Sequence, residues 1–503
     1  MLSTLIWLPF LGAALAGFLP NLSASQARWL ALAIVSGILL ETGFILTQFD
    51  LNNAGMQFSE FMPWIEKLGL NYRLGVDGLS LPLLALNSLL TWIVIYSTSK
   101  QITRPQLYYS LVLLVNAGIA GAFLSQNLML FVLFYELELI PLYLLIAIWG
   151  GTEKRGYAAM KFLIYTALSG ILILAAFLGI TWLGNAPNFD YNVNIAQGLP
   201  LQAQLILLTM VVVGFGIKIP LVPLHTWLPD AYVEASPPVA ILLGGILAKL
   251  GTYGLVRFGL GMFPETWAIV APGLAIIGAF SAAYGALSAI AQKDIKRMVA
   301  YSSIGHMGYV LLAAAAATPL SVLGAVLQMF SHGIILAILF HLVGVIETKV
   351  GTRDLNLLNG LLSPQRGLPL TTGLLVLGGM ASAGIPGMVG FIAEFLVLQG
   401  SFPVFPIPTL VCVLCSGLTA VYFVILINRT CFGKLDSATA YYPKVEWVER
   451  TPALVLAALI FFLGIFPNWL VRWSEPTTAA IVATLPTATN QQVAINYQSS
   501  VQE

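Results

Sequence analysis

Apolar residues run along this chain in stretches of about twenty, the length a helix needs to cross a bilayer, divided by short segments rich in proline, glycine or charge. Fourteen stretches fit that description. They lie near 2–20, 28–49, 79–99, 105–124, 127–149, 156–184, 202–219, 238–260, 266–291, 296–317, 320–346, 368–400, 407–432 and 452–473. Two places depart from a simple span. The seventh stretch continues apolar past Pro220, Pro223 and Pro229 toward Asp230, and the twelfth holds Gly384-Ile385-Pro386-Gly387 in its middle. Proline cannot continue a regular helix, so both spans are expected to break. The breaks lie five helices apart. Helices four to eight (105–260) and nine to thirteen (266–432) are therefore expected to form two five-helix repeats, preceded by helices one to three (1–104) and followed by a loop, helix fourteen and a polar tail (433–503). An odd number of spans per repeat makes the pair inverted, an arrangement common in transporters.

Charge tests the count. With the N-terminus on the non-cytoplasmic side, fifteen lysines and arginines fall in cytoplasmic loops, among them Arg28, Lys100, Lys154, Lys296, Arg366 and Lys434. Four fall on the opposite side, namely Lys67, Arg73, Arg257 and Arg472. Positive charge gathers on the cytoplasmic side of membrane proteins, and one miscounted helix would invert every later loop. Both termini are thus expected outside. The polar tail after about 474 is expected to be surface-bound or disordered.

Composition agrees, since 58% of the 503 residues are hydrophobic and only 9% charged, far from the quarter or so usual in soluble domains. The chain reads as an all-α polytopic membrane protein. A net charge of +1 supplies no field to attract nucleic acid. The first stretch has the apolar core of a signal peptide but neither a basic start nor a small-residue cleavage site, so it is expected to stay as the first span. Cys412 and Cys415 form a CxxC inside an apolar helix without histidine, a setting for packing rather than for metal or redox chemistry. No dinucleotide fingerprint or phosphate loop is present, so redox chemistry and nucleotide binding are expected on other chains.

Candidate chemistry lies in the ionisable residues inside the spans. Lys249 sits about eleven residues into the eighth, beyond the reach of a snorkelling side chain, and Glu136 is equally central in the fifth. Charge at mid-membrane costs about 2.5–3.5 kcal/mol per residue and marks ion paths, although a lysine and a glutamate can also simply neutralise one another. Glu136 and Glu138 lie two residues apart, so at most one faces a given partner, and Glu138 is the candidate for a structural role. Lys218 would snorkel if its helix ended regularly at Ile219; a break near 219–223 would hold it at mid-depth. His306, His332 and Glu394 complete the set, with packing as the alternative for the histidines. His341, nine residues from His332, falls near the opposite helix face, which argues against a haem or metal pair between them.

The motifs FYELELIPLYLLIAIWGG, KIPLVPLHTWLPDAYVEA, AKLGTYGLVRF, AYSSIGHMGYV, QMFSHGI and AGIPGMVGFIAEF together resemble the proton-pumping, antiporter-like chain 4 family of type-1 NAD(P)H–quinone oxidoreductases, relatives of respiratory complex I. The likeness spans about residues 2 to 473. NYRLGVDGLSLP and GAFLSQNLMLFVLFYELELIPLYLL are most similar to the cyanobacterial D-type subunits of carbon dioxide-uptake complexes. The resemblance implies a proton relay in which Glu136 is the acidic partner of Lys218, Lys249 the next lysine, His306 and His332 intermediate stations and Glu394 the exit-side group. His225 and Asp230 match a loop of the family that suits a structural role as well as a proton role. Pairing with Glu136 would favour a charged Lys218, and loss of that partner would favour release of its proton.

The resemblance further implies no cofactor on this chain, quinone and iron–sulfur clusters in partner subunits, another antiporter-like subunit alongside, bound lipids, a carbon dioxide-hydration module and a thylakoid membrane. Two other classes share these features. One is a cation/proton antiporter, which would need extra carboxylates near the breaks. The other is a non-pumping membrane subunit that docks a soluble module.

Overall fold

The computed structural model describes residues 1–19, 22–151, 153–364, 367–433 and 442–485. Arg366, Lys434 and the tail beyond 485 lie outside the described residues. Eleven helices are each long and apolar enough to cross a membrane: α2 (Ala24–Gln48), α4 (Pro105–Leu124), α5 (Leu128–Trp149), α6 (Arg155–Leu183), α7 (Leu201–Lys218), α8 (Pro237–Leu260), α9 (Pro264–Ile290), α10 (Ile295–Ala316), α11 (Pro319–Val350), α13 (Pro406–Cys431) and α14 (Trp447–Ile465). Shorter apolar helices supply the rest, with α1 at Leu2–Phe18, α3 at Leu81–Ser97 and α12 in two pieces, Pro369–Ser382 and Val389–Ser401. Among the described residues the helices thus fall where the fourteen apolar stretches lie, eleven of them long and apolar enough to be spans.

Local signals set several boundaries. Ser23 and Gln26 form a reciprocal capping box that starts α2, and Asp294 accepts from the amides of Lys296 and Arg297 at the start of α10. In α12 the chain turns between its two pieces through Gly384 (φ +70°) and Gly387 (φ +89°), on either side of Pro386. Side chains rarely tolerate that left-handed region, which is why glycine brackets the break.

Three elements differ from expectation. Residues Gln57–Ile65 and Leu70–Val76 form an antiparallel hairpin, β1 and β2. β1 is mostly exposed and contains Pro63, so it lacks the apolar alternation by which strands are read. After α14, which ends at Ile465 rather than near 473, a further helix α15 (Asn468–Ala483) packs against α11 and α3. Its Thr477 hydroxyl accepts from the Gly78 amide at 3.0 Å and donates to the Ala54 carbonyl at 3.1 Å, so residues 474–483 are an ordered helix rather than a loose tail. Arg257, counted above as a loop charge, lies inside α8 and is buried in an ion pair with Asp77.

α8 and α11 are enclosed by protein along their apolar lengths, and α10 nearly so, whereas α2, α6, α13 and α14 turn apolar faces outward. Helices that carry polar groups are thus kept from lipid. Close packing of α9 on α10 depends on small residues, as is usual between membrane helices. A Cβ at Gly285 would stand 2.5 Å from the Gly305 amide nitrogen, and one at Gly278 would stand 2.8 Å from the Gly308 carbonyl. Gly273 on the same helix has nothing within 4 Å of such a Cβ. Gly285→Leu is therefore expected to destabilise the folded chain by about 1–3 kcal/mol or more through overpacking, while Gly273→Leu stays near neutral. Thermal unfolding of the two detergent-solubilised variants measures the difference.

Candidate functional site

α7 ends at Lys218, two residues before Pro220, which has no amide to offer to the helix. The Leu221 amide takes the Gly216 carbonyl at 2.9 Å, and the Trp227 indole donates to the freed Ile217 carbonyl at 2.9 Å. The chain resumes as a helix at Trp227–Glu234. Lys218 is 1% exposed, so it is enclosed rather than snorkelling to an interface.

Its partner is Glu138, which is fully buried and bonded through Oε1 to the Lys218 ammonium. The pairing expected for Glu136 is corrected. Glu138 sits where α5 loses its regular helix, three residues before Pro141, whose ring crowds the Leu137 carbonyl. That irregularity aims Glu138 inward, whereas Glu136, two residues earlier on another face, is half-buried with its carboxylate against Gly170 of α6. Lys218 also stands 3.7 Å from the centre of the Tyr135 ring, a cation–π contact. The Tyr135 hydroxyl meets Ser169 Oγ at 2.7 Å, and that hydroxyl donates to the Gly214 carbonyl at 2.7 Å. Proline 141 is the signal that would have singled out Glu138.

Lys249 lies in a regular turn of α8 between two π-helical turns, Leu243–Leu247 and Leu255–Leu260. A π turn leaves carbonyls unused by the helix. One of them, Gly244, accepts from Lys249 Nζ at 2.5 Å. The same ammonium meets His332 Nδ1 of α11 at 2.8 Å. Lys249 is fully buried, and Gly251, two residues on, lets α8 approach Lys218 and Ile219 of the α7 break.

The row continues through α10 and α12. The His332 and His306 rings are 5.4 Å apart between centroids, and His306 Nε2 stands 3.3 Å from Glu394 Oε1. His306 Nδ1 faces the Ser302 carbonyl at 2.8 Å, and Nε2 also faces the Ser382 carbonyl at 3.1 Å, at the end of the first piece of α12. Acceptors at both nitrogens suit a doubly protonated ring beside the carboxylate. Glu394 Oε2 accepts from Ser416 Oγ of α13 at 2.9 Å. Glu138 Oε2 and His332 Nε2 are buried without a bonding partner, so each end of the Lys218–Lys249 segment retains a free polar atom.

Five of the six candidate residues, Lys218, Lys249, His332, His306 and Glu394, thus fall in one buried row, with Glu138 in the place expected of Glu136. Other polar groups stand apart. His225 packs edge-on to Tyr284 at 4.7 Å, and Asp230 holds Lys161 at 2.8 Å and Arg297 at 3.4 Å. His341 Nε2 meets the Glu449 carbonyl at 2.6 Å, and Cys412, Cys415 and Cys431 are buried free thiols. Among the described residues no cluster of three or more histidine, cysteine or acidic side chains could hold a metal.

Residues 125–419, the segment that carries this row, match the family model described as NADH:quinone oxidoreductase/Mrp antiporter, TM. The chain is 38% identical to NAD(P)H-quinone oxidoreductase chain 4 1 of Synechococcus sp. (strain JA-2-3B'a(2-13)), over 96% of this chain and 93% of the relative. The chain belongs to the NADH:quinone oxidoreductase/Mrp antiporter membrane-subunit family. Among solved structures, respiratory complex I from Thermus thermophilus contains a chain of the same fold, with TM-score 0.87 and 26% identity, covering 97% of this chain and all of that one. The Mrp complex from Dietzia sp. DQ12-45-1b contains another, with TM-score 0.85 at 21% identity over 98% of each chain, a likeness of fold alone.

In this family member, removal of the Glu138 charge would leave a buried ammonium without its counter-ion. Glu138→Gln is expected to cost about 3–5 kcal/mol of stability, and the double change with Lys218→Met to regain most of it. Glu136→Gln is expected to cost less than about 1 kcal/mol. Melting temperatures of the four proteins check this order, and an equal loss for both glutamines would contradict the Glu138 assignment.

Proposed function

We propose that this chain is a proton-translocating membrane subunit of a multisubunit NAD(P)H- or ferredoxin–plastoquinone oxidoreductase in a thylakoid membrane, with both termini on the non-cytoplasmic side. The observation that carries the reading is the buried row Glu138–Lys218, Lys249–His332, His306–Glu394, each pair within direct bonding reach. Charges this deep have no stabilising role that apolar residues of the same volume would not fill as well. Quinone and iron–sulfur clusters belong, on this reading, to partner subunits, and a second antiporter-like subunit lies alongside.

The row works by exchange of partners. While Glu138 faces Lys218, the ammonium keeps its proton; once the carboxylate is drawn off or neutralised, the proton is freed toward α8. Lys249 donates to His332 Nδ1, which places the remaining ring proton on Nε2, the nitrogen turned to no bonding partner. His306 then receives charge that Glu394 balances. The driving event is quinone reduction elsewhere, transmitted by a change in the Glu138–Lys218 pair.

Identity to cyanobacterial chain 4 proteins supports the plastoquinone complex, and the NYRLGVDGLSLP segment supports a variant serving carbon dioxide uptake through a hydration module. Growth of a deletion strain at low carbon dioxide tests the latter.

Replacement of Lys218 by alanine in the assembled complex is expected to reduce proton uptake into proteoliposomes to the passive level, with the complex still assembled. Proton transport at the wild-type rate would overturn the relay. Sodium-dependent transport by the isolated chain would favour an antiporter instead. Normal pumping with lost carbon dioxide uptake would favour a docking subunit.

A further inference from the structure

A layer of aromatic rings closes one side of the Lys218 centre. Every helix of the first five-helix unit contributes to it: Phe123 from α4, Phe131 from α5, Phe177 from α6, Phe215 from α7, and Tyr253 and Phe258 from α8. All six are at most 2% exposed. Phe131 and Phe258 are central, 4.7 Å apart between ring centroids. Phe258 also meets Phe177 at 4.9 Å and Phe215 at 6.2 Å, and Tyr253 meets Phe123 at 5.2 Å. Gly254 makes the space, because a Cβ there would stand 2.2 Å from the Phe215 ring.

The layer separates two buried ion pairs. Phe215 precedes Lys218 by three residues and Phe131 precedes Glu138 by seven, so both rings lie toward the same end of the bundle. Beyond the rings lies Arg257, eight residues or about 12 Å along α8 from Lys249, paired with Asp77 at 2.5 Å. Arg73 and Asp190, paired at 3.2 Å, lie at that end, with the Arg73 side chain 49% exposed. A proton crossing from Lys218 to Arg257 needs water or a titratable side chain, and five of the six rings offer no polar atom. The Tyr253 hydroxyl is already donated to the Phe123 carbonyl at 3.2 Å. Among the described residues the second unit, α9 to α13, has no comparable layer of rings drawn from all its helices.

We propose that this aromatic layer is a proton seal that closes the Lys218 centre on its Asp77 side and so confines charge to the lateral route through Lys249 and His332. The proposal rests on the proton-translocating reading above. It makes Phe131 and Phe258 determinants of coupling rather than proton carriers. A polar, smaller residue at the centre of the layer admits water and joins the two charged centres.

The test uses the assembled complex in proteoliposomes without electron donor, under an imposed potassium diffusion potential, with an entrapped pH dye. Phe258→Ser is expected to raise passive proton flux about tenfold, equivalent to a barrier lower by about 1.4 kcal/mol. Phe258→Leu, which retains apolar volume, is expected to stay tight. Adding Lys218→Ala to Phe258→Ser is expected to abolish the leak, since the route then lacks its inner station. Should Phe258→Ser fail to assemble, Phe177→Ser at the edge of the layer serves the same comparison. Unchanged flux in an assembled serine variant overturns the seal, as does a leak that persists without Lys218. Neither outcome bears on the relay itself, which stands or falls with driven pumping in the Lys218→Ala single variant.

Discussion

A charge can be held inside a bilayer-spanning bundle only where something compensates it, and a regular helix offers nothing, because its backbone groups bond to one another. Four ionisable residues of the buried row, Glu138, Lys218, Lys249 and Glu394, lie at or within about two turns of a break in helix geometry, whereas His306 and His332 lie inside unbroken helices. Lys218 stands at the end of α7 before Pro220, and Glu138 at the irregular turn before Pro141. Lys249 lies between two π turns and bonds to one of their carbonyls. Glu394 follows the Gly384–Gly387 break, whose Ser382 carbonyl faces His306. The breaks supply acceptors and aim side chains inward, and the enclosing helices keep the exposed backbone from lipid. Sequence, local geometry and placement of charge are one constraint seen at three scales.

Much of this was legible in advance for a physical reason. Proline and glycine act on the backbone at their own positions, so Pro220 and Gly384-Ile385-Pro386-Gly387 mark the breaks without reference to tertiary structure. Lys249 is legible because a lysine eleven residues into an apolar span has nowhere else to go. The choice between Glu136 and Glu138 is different in kind. Spacing says that they face apart, but which one faces Lys218 depends on the turn induced by Pro141 and on Gly170 receiving the other carboxylate. The hairpin and α15 are not legible in the sequence because their stability comes from contacts distant in the chain, such as Gly78 with Thr477. Arg257 looked like a loop charge because its partner, Asp77, is 180 residues away.

The two broken helices, α7 and α12, differ in what surrounds them. In the first, the Glu138–Lys218 pair sits under a lid of rings, with the hydroxyls of Tyr135 and Ser169 in fixed bonds. In the second, Glu394 is met by Ser416 and His306, with Tyr422 and Ser302 bonded at 2.7 Å nearby, a setting richer in hydroxyls than in rings. Phenyl rings are the densest way to exclude water where five helices converge, since each fills a large volume with no group that needs a partner. Hydroxyls do the opposite, since they accept and donate in turn.

A row of charges along a membrane is useful only if the barrier across it exceeds the barrier along it. Along the row, bonded pairs at about 3 Å alternate with gaps such as the 5.4 Å between the His306 and His332 rings, spans that a small rotation or one water closes. Across it, on the Asp77 side, about 12 Å of α8 separates Lys249 from Arg257, and rings fill the space beside that stretch. Direction therefore need not be imposed by a moving gate at every station. It follows from which neighbours of each charge are polar, and that choice is written in the residue types that flank the breaks.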